Sequence, residues 1–247
     1  MARDEESALI WTRPEPRTRR PKFTREQIAS AALAIADAEG FAAVSMRRIA
    51  SELGAGTMTL YYYVRTKDEL VALMDDALMG EVLVPAEEFP THWYDALTAV
   101  ATRTWDVLIR HPWALHSLQS APLGPNNMRH FEQSLAAVAD TGLDAADKFA
   151  LLGIVDDYVH GSVLRACAPT VSGETVEEAL RYAENLVATG EFPQIQALFG
   201  GDVPREDSRH AYAQAVDVAS ARDRFLRGLS ALLDGVAARM NLSLPPS

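Results

Sequence analysis

The residues with most to offer chemically run Gly54-Ala55-Gly56-Thr57-Met58-Thr59-Leu60-Tyr61-Tyr62-Tyr63-Val64. A glycine turn opens a short run rich in hydroxyl groups, on Thr57, Thr59, Tyr61, Tyr62 and Tyr63. Burying all of them would require a hydrogen-bond partner for each, so the simpler reading is an exposed face built to meet a polar partner. Threonine hydroxyls can bond several base edges, and a threonine or methionine methyl can pack on the methyl of thymine. Thr57, Met58 and Thr59 therefore suit base contact in a major groove. Tyr61 and Tyr62 suit phosphates or a groove-side wedge, and Tyr63 either a base or a phosphate. For each ring the alternative is packing on a neighbouring helix. Ser45, Arg47 and Arg48 precede this run and Lys67 follows it, all positioned to hold a phosphate backbone, with a plain surface charge as the alternative for one arginine. No arginine or glutamine, the residues that pair bidentately with guanine and adenine, stands in the run.

A helix this short does not hold alone in water. Leu60 and Val64, four apart, give it one apolar stripe on which to lean. Thr24 and Gln27 have the spacing of a capping box, and Phe23 with Ile28 that of a hydrophobic staple; that helix is expected to stop at Gly40. A second helix is expected from Ser45 to Gly54, and a fourth from a second capping box, Thr66-Lys67-Asp68-Glu69, to about Val82. The second and third helices, joined by a short glycine turn, have the geometry of a helix-turn-helix.

From Phe23 to Leu73 the chain resembles the DNA-binding domain of the TetR family of bacterial transcriptional repressors. The matching pieces are Ile28-x-x-Ala31-Ala32, Gly40-Phe41, Ser45-Met46-Arg47-Arg48-Ile49-Ala50, Leu53-Gly54, Thr59-Leu60-Tyr61-Tyr62-Tyr63-Val64 and Lys67-x-x-Leu70. Further on, Phe192-Pro193 and Phe225-x-x-Gly228-Leu229-x-x-Leu232-Leu233-Asp234-Gly235 resemble the C-terminal domain of its tetracycline-repressor branch. The resemblance implies an all-α protein: an N-terminal helix-turn-helix DNA-binding domain and a larger helical domain for ligand binding and dimerisation.

Charge supports a division into parts. The net charge of −11 is unpromising for a DNA binder until it is apportioned. From Arg13 to Lys67, ten basic residues face five acidic ones; from residue 71 onward, twelve face twenty-four. The basic stretch coincides with the helix-turn-helix, as phosphate binding requires. The expected organisation is a disordered basic arm over residues 1–22, a DNA-binding domain with its linking helix over 23–80, and the effector and dimerisation domain over 81–247. The arm, with Arg13, Arg17, Arg19, Arg20 and Lys22 among prolines, reads either as a reach toward the duplex or as a solvated tail. A single cysteine, Cys167, excludes an internal disulfide. With no signal peptide and no membrane-spanning run, a cytoplasmic protein is expected.

Beyond Thr91 the apolar spacing is helical throughout. The resemblance implies that helices near 145–168 and 213–241 pair with their two-fold mates in a four-helix bundle, through Phe149, Leu152, Val159, Val163, Phe225, Gly228, Leu229, Leu232 and Val236. It also implies an effector site among the central helices, for which the candidates are Trp105, His111, Trp113, His116, Met128, Phe131, Asp156, Tyr158 and His160, aromatics with a few polar groups. His111 and His116 lack metal-ligand spacing, so neither a metal nor a cofactor is expected. No nucleophile elbow, P-loop, dinucleotide fingerprint or zinc-protease motif occurs, so no catalytic residue is assigned. The implied function is a ligand-responsive repressor that binds a palindromic operator as a homodimer and is released by a small molecule. An activator or architectural protein of the same fold is one alternative; an all-helical ligand carrier or enzyme is the other.

Overall fold

Start signals set the helix boundaries at the N-terminal end. The Thr24 hydroxyl accepts from the Gln27 amide at 3.2 Å while the Gln27 side chain accepts from the Thr24 amide at 3.0 Å, which is the reciprocal box expected from the spacing. Helix α1 (Arg25–Glu39) follows, and buries Ile28, Ala32 and Ile35 on one stripe. The computed structural model describes residues 9–14, 23–117, 123–168, 172–198 and 218–245, and every regular element among them is helical. Ser45 caps α2 (Met46–Glu52), whose Ile49 and Ala50 point inward. Gly54, at φ 61°, supplies the left-handed turn before α3 (Thr57–Leu60).

Helix α3 is shorter than the run of hydroxyls suggests. Tyr62 and Tyr63 donate to the carbonyls of Thr59 and Leu60, three residues back, so the tyrosines wind into a tight turn rather than a second α-turn. Helix α4 (Lys67–Val82) is capped by Thr66, which accepts from the Glu69 amide at 3.1 Å. The expected reciprocal half is missing here. The Glu69 carboxylate turns instead to the Arg65 amide and to Arg13.

The remaining helices are α5 (Trp93–Arg110), α6 (Ala114–Ser117), α7 (Pro125–Ala137), α8 (Ala145–Ala166), α9 (Gly173–Ala188), α10 (Pro193–Leu198) and α11 (Val218–Met240). The chain forms two compact units, one of Met1–Leu164 with Leu229–Ser247 and one of Arg165–Gly228. In the first, α4 packs against α1, α5 and α7. The Trp93 indole donates to the Ser243 carbonyl at 2.7 Å, and the Tyr94 hydroxyl meets Ser230 and Asp234, which fastens the end of α11 to α5. In the second unit, Ser172 caps α9, accepting from the Thr175 amide at 3.3 Å.

Two expectations are corrected here. The basic arm is not disordered over residues 9–14: Ile10–Thr12 form a 3-10 turn, and Ile10 is 2% exposed. The rest of the arm lies outside the described residues. In the proposed bundle, Val159, Val163, Phe225 and Leu229 are buried within the single chain and have no surface left for a partner. The cause is spacing: Leu151, Val155, Val159 and Val163 recur every four residues and form the inward stripe of α8. Phe149 and Leu152 lie off that stripe and face a cavity described below.

Candidate nucleic-acid interface and effector cavity

Leu60 and Val64 are fully buried and anchor the segment that carries the hydroxyl face. With those two fixed inward, Met58 and Tyr62 are left 74% and 72% exposed, Tyr61 is also exposed, and Thr57 and Thr59 are half-buried. Tyr63 departs from expectation. It is 3% exposed, because it follows Leu60 by three residues and so falls on the same inward side. Its ring belongs to the core of the head and not to the exposed face. Arg48 is committed as well: it donates to Glu39 at 2.7 and 2.9 Å and to Glu52 at 2.8 Å, joining α1 to α2, and these hydrogen bonds raise its pKa. Ser45 is exposed and its hydroxyl serves as the α2 cap. Arg47 and Lys67 remain exposed, with the Lys67 ammonium 5.7 Å from the centre of the Phe41 ring.

A chain of contacts leads inward from that surface. Phe41 stacks on Trp113 at 5.7 Å, and the Trp113 indole donates to Asp37 of α1 at 2.8 Å. His111 Nδ1 lies 2.7 Å from the same carboxylate oxygen, and its Nε2 lies 3.5 Å from Glu81 of α4. Glu81 also accepts from Arg110 at 2.9 Å, and its carbonyl accepts from Arg103 at 2.8 Å. His111 and Trp113, expected among the effector ligands, are engaged with Asp37 and do not line the cavity described below. Proline at 112 ends α5 and brings both rings back onto α1.

Midway along α4 a second polar clamp holds α7. The Asp76 carboxylate accepts from the amides of Asn126 and Asn127 at 2.6 and 3.3 Å, at the helix end where backbone donors have no partner within the helix. The Asn126 side chain donates to the Asp76 carbonyl at 3.0 Å, and that of Asn127 to Asp75 at 2.9 Å. Gly124 is required, since a Cβ there would run into the Asp76 carboxylate. Burial pushes the carboxyls of Asp75 and Asp76 above their ordinary value, against the lowering effect of these hydrogen bonds. An acidic pair mid-helix gives no sequence signal of such a clamp.

Between α5, α7 and α8 lies a cavity of about 310 Å³, within the range of small-molecule sites. Leu97, Val100, Ala101 and Thr104 wall it from α5, His130, Phe131 and Ser134 from α7, and Phe149, Leu152, Val155 and Asp156 from α8. The rings of Phe131 and Phe149 meet at 5.7 Å. His130 Nδ1 is buried and finds no hydrogen-bond partner among the described residues. Burial holds this imidazole below its ordinary pKa, against the pull of Asp156. On the α8 side, the Asp156 carboxylate lies 3.3 Å from His160 and raises that imidazole to about 9.

Of the effector candidates, Phe131 and Asp156 line the cavity, and His160 stands beside Asp156. Trp105 is buried in the core and Tyr158 is half-buried, neither in the lining. Met128 is exposed and borders a separate open groove with Phe89 and Arg129. The His116 side chain lies outside the described residues. Thr104, His130, Ser134, Phe149 and Leu152 escaped the sequence reading as ligand groups. The one available signal was His130 and Ser134, four apart on an otherwise inward-facing helix side.

A helix-turn-helix head joined by one helix to a helical body with a partly open, mostly apolar cavity defines a one-component regulator. Residues 28–74 match the family described as bacterial regulatory proteins, tetR family, and residues 85–240 match the tetracyclin repressor-like C-terminal domain. The chain belongs to the TetR family and functions as a ligand-responsive transcriptional repressor. It is 34% identical to the HTH-type transcriptional repressor DrrR1 of Streptomyces coeruleorubidus, over 96% of this chain and 88% of the relative. It is 40% identical to an HTH-type transcriptional regulator of Saccharopolyspora erythraea, over 62% of this chain and 66% of the relative. The crystal structure of the TetR family protein ActR of Streptomyces coelicolor in complex with actinorhodin superposes with a TM-score of 0.67 at 28% identity, over 88% of this chain and 98% of that one. Regulators of this family are in general DNA-binding proteins without enzymatic activity. No helix among the described residues is long and apolar enough to cross a membrane.

Proposed function

We propose that this repressor reads a palindromic operator as a homodimer and leaves it when a planar aromatic effector fills the cavity between α5, α7 and α8. One observation carries the coupling: α7 bears His130, Phe131 and Ser134 in the cavity wall and, at its N-terminus, the amides clamped by Asp76 of α4. An effector that shifts α7 therefore tilts α4 and changes the separation of two heads that must reach successive major grooves. On the DNA, Thr57, Met58 and Thr59 meet base edges, Tyr61 and Tyr62 the groove rim, and Arg47 and Lys67 the phosphates. The homodimer forms on the sides of α8 and α11 left uncovered, with Ile154, Gly161 and Leu164 opposite Leu232, Gly235 and Val236. Phe131 and Phe149 offer faces for an aromatic ring system, while His130 and Asp156 meet its hydroxyl or carbonyl groups. The actinorhodin held by ActR is a ligand to try first. The protein works in the cytoplasm, where the operator is, and catalyses no reaction.

The test uses labelled duplexes from the region upstream of its own gene, followed by anisotropy as actinorhodin and other polycyclic quinones are added. Selective binding that an effector abolishes, and that a Phe131→Ala variant retains in the presence of that effector, is the expected result. Release that proceeds equally well in Phe131→Ala would remove the cavity from the mechanism, and absence of any selective binding would remove the operator.

A further inference from the structure

Residues 9–14 are fastened to the head more firmly than a solvated arm requires. Ile10 is buried, and Arg25, itself buried, donates through Nη1 to the carbonyls of both Ile10 and Arg13 at 2.8 Å. Arg13 then spans the gap to the DNA-reading segment. Its guanidinium donates to both oxygens of Glu69 at 2.7 and 2.9 Å and to the Tyr63 carbonyl at 3.1 Å. The same carboxylate accepts from the Arg65 amide at 2.6 Å. One carboxylate thus gathers the segment 9–14, the turn that ends the recognition segment, and the first turn of α4. Burial would raise the Glu69 carboxyl, but the Arg13 and Arg65 hydrogen bonds outweigh it and hold the group below its ordinary value, so it is ionised at neutral pH.

We propose that residues 9–14 are a strap that sets the orientation of the recognition segment against α4, with Arg13 as a positioning residue for operator binding. This rests on the DNA-binding reading of the head. A basic residue beside a DNA-binding surface invites assignment to a phosphate, but the donors of Arg13 point at Glu69 and the Tyr63 carbonyl. The planar fork is what this site uses: two parallel bonds to a carboxylate fix angle as well as distance, which a point charge does not.

Positioning and phosphate binding differ in sign and in salt dependence, so one set of titrations separates them. A labelled upstream duplex that the wild type binds selectively is titrated with wild type, Arg13→Ala, Glu69→Gln and Ile10→Ala across a salt series, with thermal melts alongside. The expected result is a loss of about tenfold in affinity for Arg13→Ala and for Glu69→Gln, and a smaller loss for Ile10→Ala, which alters no charge. The slope of log affinity against log salt stays that of the wild type. Glu69→Gln is the sharpest arm, because removing a negative charge near DNA strengthens binding on electrostatic grounds alone. Tighter or unchanged binding by Glu69→Gln overturns the strap, as does a fall of about one in the salt slope of Arg13→Ala, the mark of a lost phosphate contact. If Glu69→Gln melts below the assay temperature, Ile10→Ala decides: weaker binding at wild-type slope supports the strap, and wild-type affinity refutes it. Failure of the wild type to bind any duplex selectively is a different result, and counts against the operator reading.

Discussion

Replacing Asp76 by alanine and by asparagine is expected to give opposite outcomes, because the clamp depends on an oxygen and not on a charge. Asp76 is 7% exposed, and its Oδ1 accepts from the amides of Asn126 and Asn127 at the start of α7. Alanine leaves both donors without that acceptor. Loss of a side-chain cap costs about 0.5–2 kcal/mol, and a buried donor left unpaired about 1–3 kcal/mol. For a chain of this size each kcal/mol moves the Tm by roughly 2–4 °C, so Asp76→Ala should melt lower by roughly 2–12 °C. Asparagine keeps one oxygen and removes the ionised form, which burial already disfavours. A carboxyl raised in the folded state binds its proton more readily folded than unfolded. Its contribution to stability therefore grows as pH falls through the raised value, and asparagine imitates that neutral state. Asp76→Asn should stay within about 1 kcal/mol of wild type. Circular dichroism at 222 nm reads the melts, and operator anisotropy reads function. Asp76→Ala should hold the operator yet resist an effector that releases the wild type. Equal melts for the two variants would refute the clamp as drawn, and wild-type release by Asp76→Ala would refute its place in the coupling.

Other outcomes follow from the same geometry. Tyr62→Ala should weaken operator binding several-fold with an unchanged melt, whereas Tyr63→Ala should cost about 3–5 kcal/mol of head stability, since its ring is core; anisotropy and melts on the two variants check this. Arg47→Ala and Lys67→Ala should each lower the salt slope of operator binding by about one, while Arg48→Ala should leave it near wild type, its donors being held by Glu39 and Glu52. The His160 imidazole should titrate at about 9 by NMR and return toward its ordinary value in Asp156→Asn. Because that pKa is raised on folding, what the pair adds to stability is complete below about pH 6.5 and is lost as pH rises through about 9.

Local rules made the head legible. Capping at Thr24 and Ser45, the glycine turn and the Leu60–Val64 stripe all depend on residues within a few positions of one another, and each appears as its spacing predicts. What the sequence hid was long-range. His111 and Trp113 look like ligand groups until the break at Pro112 is seen to turn them onto Asp37, more than seventy positions away. Glu69 has the spacing of a capping box, but a distant arginine competes for its carboxylate and wins. On α8, apolar residues occur on several sides, so periodicity alone does not say which stripe meets the chain's own core. The structure gives that role to Leu151, Val155, Val159 and Val163, and turns Phe149 toward the cavity.

On the proposed mechanism, the placement of carboxylates along α4 carries a small change in the cavity to the DNA. Glu69 ties its first turn to the recognition segment, Asp76 ties its middle to α7, and Glu81 ties its end to Arg110 and the His111 junction. A helix held at one point can pivot freely; a helix held at three points along its length moves as a rigid lever. Its 16 residues span roughly 24 Å, so a tilt of about 5° displaces one end by about 2 Å relative to the other. Hydrogen bonds to base edges fail over much smaller excursions. The second head of a dimer moves in the opposite sense by symmetry, which doubles the mismatch with successive grooves. On that mechanism a shift of α7 too small to disturb packing is enough to break the fit to an operator, provided the three carboxylate holds stay closed.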